Sequence, residues 1–255
     1  MLDYWRQVGE GLAISFCRAP GYEFRLDRTG WIAEAGEPFV DFNCALVAPG
    51  TEAEAMLEKT IKHFRDRSLP FLVCAVGETE ALADQALAFG LARAGDLPLM
   101  VLHEPQARSS DDRGPARDSL TLVEAETPNE FRRVAELTER CFGLPAEAVR
   151  RVKPFDSPRD PRTCVYLALR GLELVGSVTY SRHENAVGIW SLMTRPDLRR
   201  QGIGRQVMTE TMSKIWQEGR RPIFLVSTPD GKPLYDLLGF QTVDVGSVWV
   251  GRPPE

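Results

Sequence analysis

The sequence predicts an α/β fold made of two similar halves, and three observations predict it. A glycine-rich turn, Arg199-Arg200-Gln201-Gly202-Ile203-Gly204, sits between an apolar run (Ile189 to Thr194) and an amphipathic run (Arg205 to Gln217), so it reads as strand, turn and helix. The order of elements around that turn is echoed in the N-terminal part of the chain. Between the two, Gln106 to Asp118 (QARSSDDRGPARD) is polar, contains Gly and Pro, and is nearly devoid of apolar residues, which is linker composition. The expected division is 1–105, a linker 106–118, and 119–255.

In the C-terminal part, Leu120 to Val123 alternates as a strand. Thr127-Pro128-Asn129-Glu130 is a capping box with proline at the first helical position, opening a helix to about Cys141. A shorter helix is expected over Pro145 to Val152, then an irregular loop from Pro154 to Pro161. Strands follow at Cys164–Leu169, Leu174–Arg182 and Val187–Met193, joined by turns at Arg170-Gly171 and His183-Glu184-Asn185. The helix after the glycines sets Val207, Thr211 and Ile215 beside Met208, Met212 and Trp216, one apolar face for core packing. Arg205, Gln206, Glu210, Ser213, Lys214 and Gln217 cover its solvent side.

In the N-terminal part, Phe42 to Val47 is strand-like and Thr51-x-x-Glu54 caps a helix reaching about Arg67. A strand at Phe71 to Val76, a helix from Thr79 to Phe89 ending in Gly90-Leu91, and a strand at Leu97 to Leu102 follow. The same order runs from Val187 to Val250. This is an internal duplication in pattern, not in residue identity.

Bulk properties narrow the field. The chain has 255 residues, 43% hydrophobic and 26% charged, enough for one large or two small domains. A net charge of −5 with no basic block argues against a nucleic-acid partner. Five scattered cysteines with no C-x-x-C read as free thiols, buried at Cys44, Cys74 and Cys164. Three dispersed histidines give no metal-ligand spacing, so no metal is expected. No apolar run approaches a membrane span, and Asp3 and Glu10 interrupt any leader-like N-terminus, so a cytoplasmic protein is expected.

Gly202 and Gly204 let a ligand approach the backbone, and the free N–H groups opening the next helix favour an anion there. Two arginines beside the turn add charge for phosphate oxygens. No Lys-Ser or Lys-Thr follows, which excludes a P-loop, and Val207 stands where a dinucleotide fingerprint needs its last glycine. The turn resembles motif A of the GNAT superfamily of N-acetyltransferases, [RQ]-x-x-G-x-[GA], filled by Arg199, Gly202 and Gly204, with Arg195-Pro196 between strand and loop. Leu234-Tyr235-Asp236-Leu237-Leu238-Gly239-Phe240 is similar to the family's L-Y-x-x-x-G-F signature. The resemblance covers Ser119 to about Val250 and implies tandem GNAT-like domains, each a mixed central β-sheet flanked by helices.

That resemblance implies acetyl transfer from acetyl-CoA, as co-substrate, to a primary amine by direct attack in a ternary complex. Main-chain atoms of Leu192, Met193 and Thr194 would hold the pantetheine arm and the thioester carbonyl. Arg199, Arg200, Gln201, Gly202, Ile203, Gly204 and Arg205 would wrap the pyrophosphate, and Tyr235 would protonate the leaving thiolate. Thr228 stands at a position where relatives carry asparagine, although Pro229 reshapes that loop. The general base is not legible: Ile189-Trp190-Ser191 holds no glutamate, and Glu173, His183 and Glu184 are candidates by side-chain type alone. The N-terminal copy has Pro49-Gly50-Thr51-Glu52-Ala53-Glu54 at the equivalent loop, whose carboxylates satisfy the helix dipole and repel a pyrophosphate. It is therefore expected to be degenerate, a packing partner or a wall of the acceptor site. Expected partners are a small amine or a peptide amino group, with no nucleic acid and no membrane, in a monomer or homodimer. The alternatives are a non-catalytic acyl-CoA-binding regulatory module or a purely structural interaction domain.

Overall fold

Two successions of strands merge into one 11-stranded mixed sheet. The computed structural model describes residues 2–16, 22–104, 120–152, 160–219 and 222–253; the linker expected at 106–118, Cys17 and most of the loop expected at Pro154–Pro161 lie outside them. The N-terminal part runs α1 (Leu2–Phe16), β1 (Glu23–Asp27), β2 (Gly30–Glu34), β3 (Asn43–Val47), α2 (Ala53–Arg65), β4 (Phe71–Val76), α3 (Glu80–Ala88) and β5 (Ala92–Leu102). The C-terminal part runs β6 (Leu120–Glu124), α4 (Pro128–Phe142), α5 (Ala146–Val152), β7 (Thr163–Arg170), β8 (Glu173–Arg182) and β9 (Val187–Thr194). It continues with α6 (Ile203–Gly219), β10 (Ile223–Val226), α7 (Lys232–Leu237) and β11 (Gln241–Gly251).

The strand order is β1-β2-β3-β4-β11-β5-β10-β9-β8-β7-β6. At its centre β5 and β11 lie antiparallel, from Val101 opposite Gln241 to Ala92 opposite Val250. Each also pairs antiparallel with a strand of the other half, β11 with β4 and β5 with β10. About this seam the order repeats: β4 answers β10, β3 answers β9, β2 answers β8 and β1 answers β7. Both β3–β4 and β9–β10 are parallel. The expected duplication is thus present in the topology, and each half's last strand fills a gap in the other. Leu99, Met100, Val101, Val248 and Trp249 are buried at the seam. Side chains of this size contribute roughly 1.5–3 kcal/mol each on burial, so the seam ties the halves into one body.

Local chemistry sets most elements as expected. The capping box of α4 forms, with Glu130 N donating to Thr127 Oγ1 at 3.3 Å and Thr127 N donating to Glu130 Oε2 at 2.8 Å. On α6, Val207, Met208, Thr211, Met212 and Ile215 are buried against the sheet, with Trp216 packed at the margin. The expected cap of α2 is a correction. Thr51 lies inside a turn closed by Ala53 N donating to Gly50 O, so Glu52 is the N-cap residue and no side chain caps the helix. Glu52 instead reaches Arg28 at 3.0 Å. Cys74 and Cys164 are buried free thiols, whereas Cys44 is half-buried, another departure from expectation. Burial pushes the Cys44 and Cys74 thiols up to about 12, so both are inert at neutral pH. No helix among the described residues is long and apolar enough to cross a membrane.

Candidate active site

The two parallel strand pairs differ where it matters. β3 and β4 stay in register over four positions, from Cys44 opposite Leu72 to Val47 opposite Ala75. β9 and β10 share only Val187 opposite Ile223 and Gly188 opposite Phe224. The cause lies on the other edge of β9. Trp190 faces Thr179 and Met193 faces Ser177, so Ser191 and Leu192 together oppose Val178. Such a bulge bends and twists the strand. Ser191 takes φ +48°, a left-handed conformation uncommon outside glycine. β10 stays zipped to β5 from Ile223 to Val226, so β9 alone swings away. A wedge opens between Leu192, Met193 and Thr194 on one side and the end of β10 on the other.

The motif loop closes the wide end of that wedge. Arg200 has φ +62° and Gly202 φ +80°, so the chain makes two left-handed steps before α6 begins at Ile203. Gln206 N donates to Gly202 O at 3.0 Å, the first helical bond. Among the described residues, the amides of Gly202, Ile203 and Gly204 donate to no backbone carbonyl. No acidic residue occupies the first turn of α6, whereas α2 has Glu54 there and Glu52 as its N-cap residue. The dipole of α6 is therefore left for an external anion. Arg199 turns back to the carbonyls of Thr194 and Cys141, both at 3.5 Å, stitching α4 to the end of β9. Arg195 is held by Glu173 at 2.5 Å and Asp197 at 2.8 Å. Arg200 is exposed and forms no ion pair among the described residues.

Tyr235 stands beside the end of β10. A Cβ built on Gly231 would lie 3.1 Å from Tyr235 Cε2 and 3.3 Å from Thr228 Oγ1, which puts the ring against that loop. The ring is 9% exposed and meets Phe240 edge-on at 5.8 Å. Among the described residues its hydroxyl has no hydrogen-bond partner, and it is not among the fully enclosed unpartnered atoms. Burial pushes it up to about 12, so it keeps its proton at neutral pH. Thr228 uses its hydroxyl to accept from Gly231 N at 3.2 Å, tightening the entry to α7.

The candidate bases separate. Glu173 is paired with Arg195, and Glu184 lies exposed in the β8–β9 turn. His183 is 7% exposed, with Nε2 2.8 Å from Ser181 Oγ and Nδ1 3.7 Å from Glu10 Oε2. Burial lowers its pKa, and the nearby Glu10 opposes that only in part. Sequence reasoning missed Glu10, Ser181 and Trp190, whose indole N–H donates to Ser181 Oγ at 2.7 Å. It also missed a grouping in the N-terminal half, where ligand atoms of Glu23, Glu34 and His63 fall within 4.8 Å of one another. The Arg67 guanidinium, 3.2 Å from Glu34 and 3.8 Å from Glu23, and the Arg25 guanidinium, 2.7 Å from Glu23, already pair with those carboxylates.

Residues 131–240 match the family model described as acetyltransferase (GNAT) family. Among solved structures, the chain is similar to a GCN5-related N-acetyltransferase from Kribbella flavida, with TM-score 0.69 and 15% identity over 98% of this chain and 96% of that one. It is similar to a functionally unknown conserved protein from Staphylococcus epidermidis, with TM-score 0.65 and 17% identity over 92% and 95% of the two chains. A tandem GNAT protein from the clavulanic acid biosynthesis pathway shares the fold with TM-score 0.61 and 15% identity over 98% of this chain and 88% of that one. No curated protein matches this chain.

Proposed function

We propose, from the match of residues 131–240 to the acetyltransferase (GNAT) family model, that the chain transfers acetyl from acetyl-CoA to a primary amine. The amine belongs to a small molecule or to a peptide or protein. One observation carries the reading: the C-terminal half has a splayed strand pair ending in free amides, and the N-terminal half does not. The diphosphate sits against Gly202, Ile203 and Gly204, with the Arg200 guanidinium within reach. The pantetheine arm lies along Leu192, Met193 and Thr194, in the place a neighbouring strand would otherwise occupy.

The neutral amine attacks the thioester carbonyl, forming the C–N bond and an oxyanion that collapses as the C–S bond breaks. Main-chain N–H groups of the bulged strand stabilise the oxyanion. Tyr235 donates its hydroxyl proton to the departing sulfur, a role that needs a phenol protonated at neutral pH. No carboxylate lines β9 between Ile189 and Thr194, so the amine proton leaves through water in this reading. Residues 119–255 form the catalytic part and 1–105 a part without acetyl-CoA affinity, its β3–β4 pair closed and its loop acidic. The test is release of free CoA from acetyl-CoA over a panel of amines. Amine-dependent release supports the transferase. A thermal shift with acetyl-CoA but no release with any amine would leave a non-catalytic acyl-CoA-binding module.

A further inference from the structure

We infer that Trp190, Ser181, His183 and Glu10 form a positioning chain through which α1 of the N-terminal half fixes the acceptor-side wall of the transfer site. The inference rests on the proposed transferase reading and extends it to residues outside the family signatures.

The chain has one consistent hydrogen assignment. An indole N–H can only donate, so Trp190 donates to Ser181 Oγ at 2.7 Å. Ser181 is completely buried, and among the described residues its hydroxyl has one further partner, His183 Nε2 at 2.8 Å. A buried hydroxyl proton left without an acceptor is costly, so Ser181 donates to Nε2. The imidazole must then carry its proton on Nδ1, the nitrogen that faces Glu10 Oε2 at 3.7 Å. Glu10 also accepts from Arg6 Nε at 3.1 Å on the outer face of α1.

Ser, His and Glu in this order look like a hydrolase triad, and the geometry excludes that use. Ser181 Oγ is sealed between an indole and an imidazole with no exposed surface, so no substrate carbonyl can reach it. A proton wire to the wedge is excluded as well, because the inner end is an indole that does not titrate. What remains is orientation. Trp190 directly precedes the strained Ser191 of the bulge. Its indole lies over Gly188, where a Cβ would come within 2.6 Å of Cζ2, and meets Phe224 edge-on at 5.8 Å. From above, Gly11 of α1 rests on the same ring so closely that any side chain there would collide with it. The indole is therefore clamped on three sides, and the N–H bond fixes its rotation. Because Glu10 and Gly11 both belong to α1, the N-terminal half completes a wall beside the reacting centre.

Histidine tautomer is the deciding observable. In protein labelled with nitrogen-15 histidine, where the ring signals of His183 are identified among the three histidines by their loss in His183→Gln, the His183 resonances should show a proton on Nδ1 and none on Nε2 at neutral pH. A proton on Nε2 would overturn the chain, whatever the activity. For function, Ser181→Ala and the surface change Glu10→Ala should each raise the amine KM by about tenfold or more, the acetyl-CoA thermal shift staying as in wild type. Wild-type amine KM and kcat in both variants would refute the positioning role. If the wild type turns over no amine, the transferase reading fails by itself, and the tautomer together with slow exchange of the Trp190 indole proton still decides whether the clamp exists.

Discussion

Gly188 opposite Phe224 is the last rung joining β9 to β10, and beyond it the two strands part. The equivalent pair in the N-terminal half continues to Val47 opposite Ala75. One half of the molecule is open to an extended ligand and the other is closed, although both descend from the same order of elements.

Replacing Tyr235 with phenylalanine should keep acetyl-CoA binding and slow turnover by about 100-fold or more, the usual scale of general acid catalysis. The hydroxyl has no hydrogen-bond partner among the described residues, so the variant should also retain its stability. Steady-state kinetics beside a thermal shift checks both points. Turnover equal to wild type would remove Tyr235 from the mechanism.

The two loop glycines should respond differently. Gly202 sits at φ +80°, so Gly202→Ala strains the backbone by about 1–2 kcal/mol and should lower the melting temperature. Gly204 is helical, and a Cβ there would meet Thr194 Oγ1 at 3.4 Å and Leu234 Cδ2 at 3.5 Å, close to ordinary contact. Gly204→Ala should therefore leave stability nearly unchanged and, because the resembled motif admits alanine at that position, acetyl-CoA affinity as well. Loss of affinity without loss of stability in Gly204→Ala would contradict the equivalence of that position to the last residue of the motif.

Acid should destabilise the fold in a defined window. Burial is the largest effect on both His63 and His183 and holds each below its ordinary 6.5. Below that pH the unfolded chain binds protons that the folded chain does not. Stability is therefore whole above about pH 6.5 and falls as pH drops toward the folded values, by up to about 1.4 kcal/mol per pH unit for each histidine. Melting temperatures from about pH 8 to 5 test this, and His183→Gln should flatten the slope by about half. A flat profile through that window would show that neither imidazole is held neutral.

Ser191 and Arg200 are non-glycine residues held in the left-handed region, at φ +48° and +62°. Strain of this kind persists where the surroundings enforce it. Ser191→Gly should stabilise the protein by up to about 1 kcal/mol while reducing turnover, since the bulge it shapes would loosen. Higher stability with unchanged turnover would mean that the bulge conformation is not used.

Much of the C-terminal half was legible in the sequence because its signals are local. The capping box at Thr127, the apolar face of α6 and the glycine turn each lie within a few residues. Helix α1 was not read, since Gly9 and Gly11 weaken its helical signal. The structure gives their reason: Gly9 packs on Trp31 and Gly11 on Trp190, contacts made by distant residues. Strand exchange between β5 and β11 was equally hidden, because alternation marks a strand and not its neighbour. The opening of the wedge depends on register at Ser191 and Leu192, which no pattern of polarity records. Glu10 and His183 meet from opposite ends of the chain, so only folding brings them together.

Calorimetric titration of acetyl-CoA into the full chain tests the central asymmetry most directly. One binding site per chain is expected, abolished by Gly202→Glu and untouched by Glu52→Arg in the acidic loop of the closed half. Absence of binding heat and of any melting shift, or a site that survives Gly202→Glu, would contradict the open wedge and its amide loop as the seat of coenzyme A.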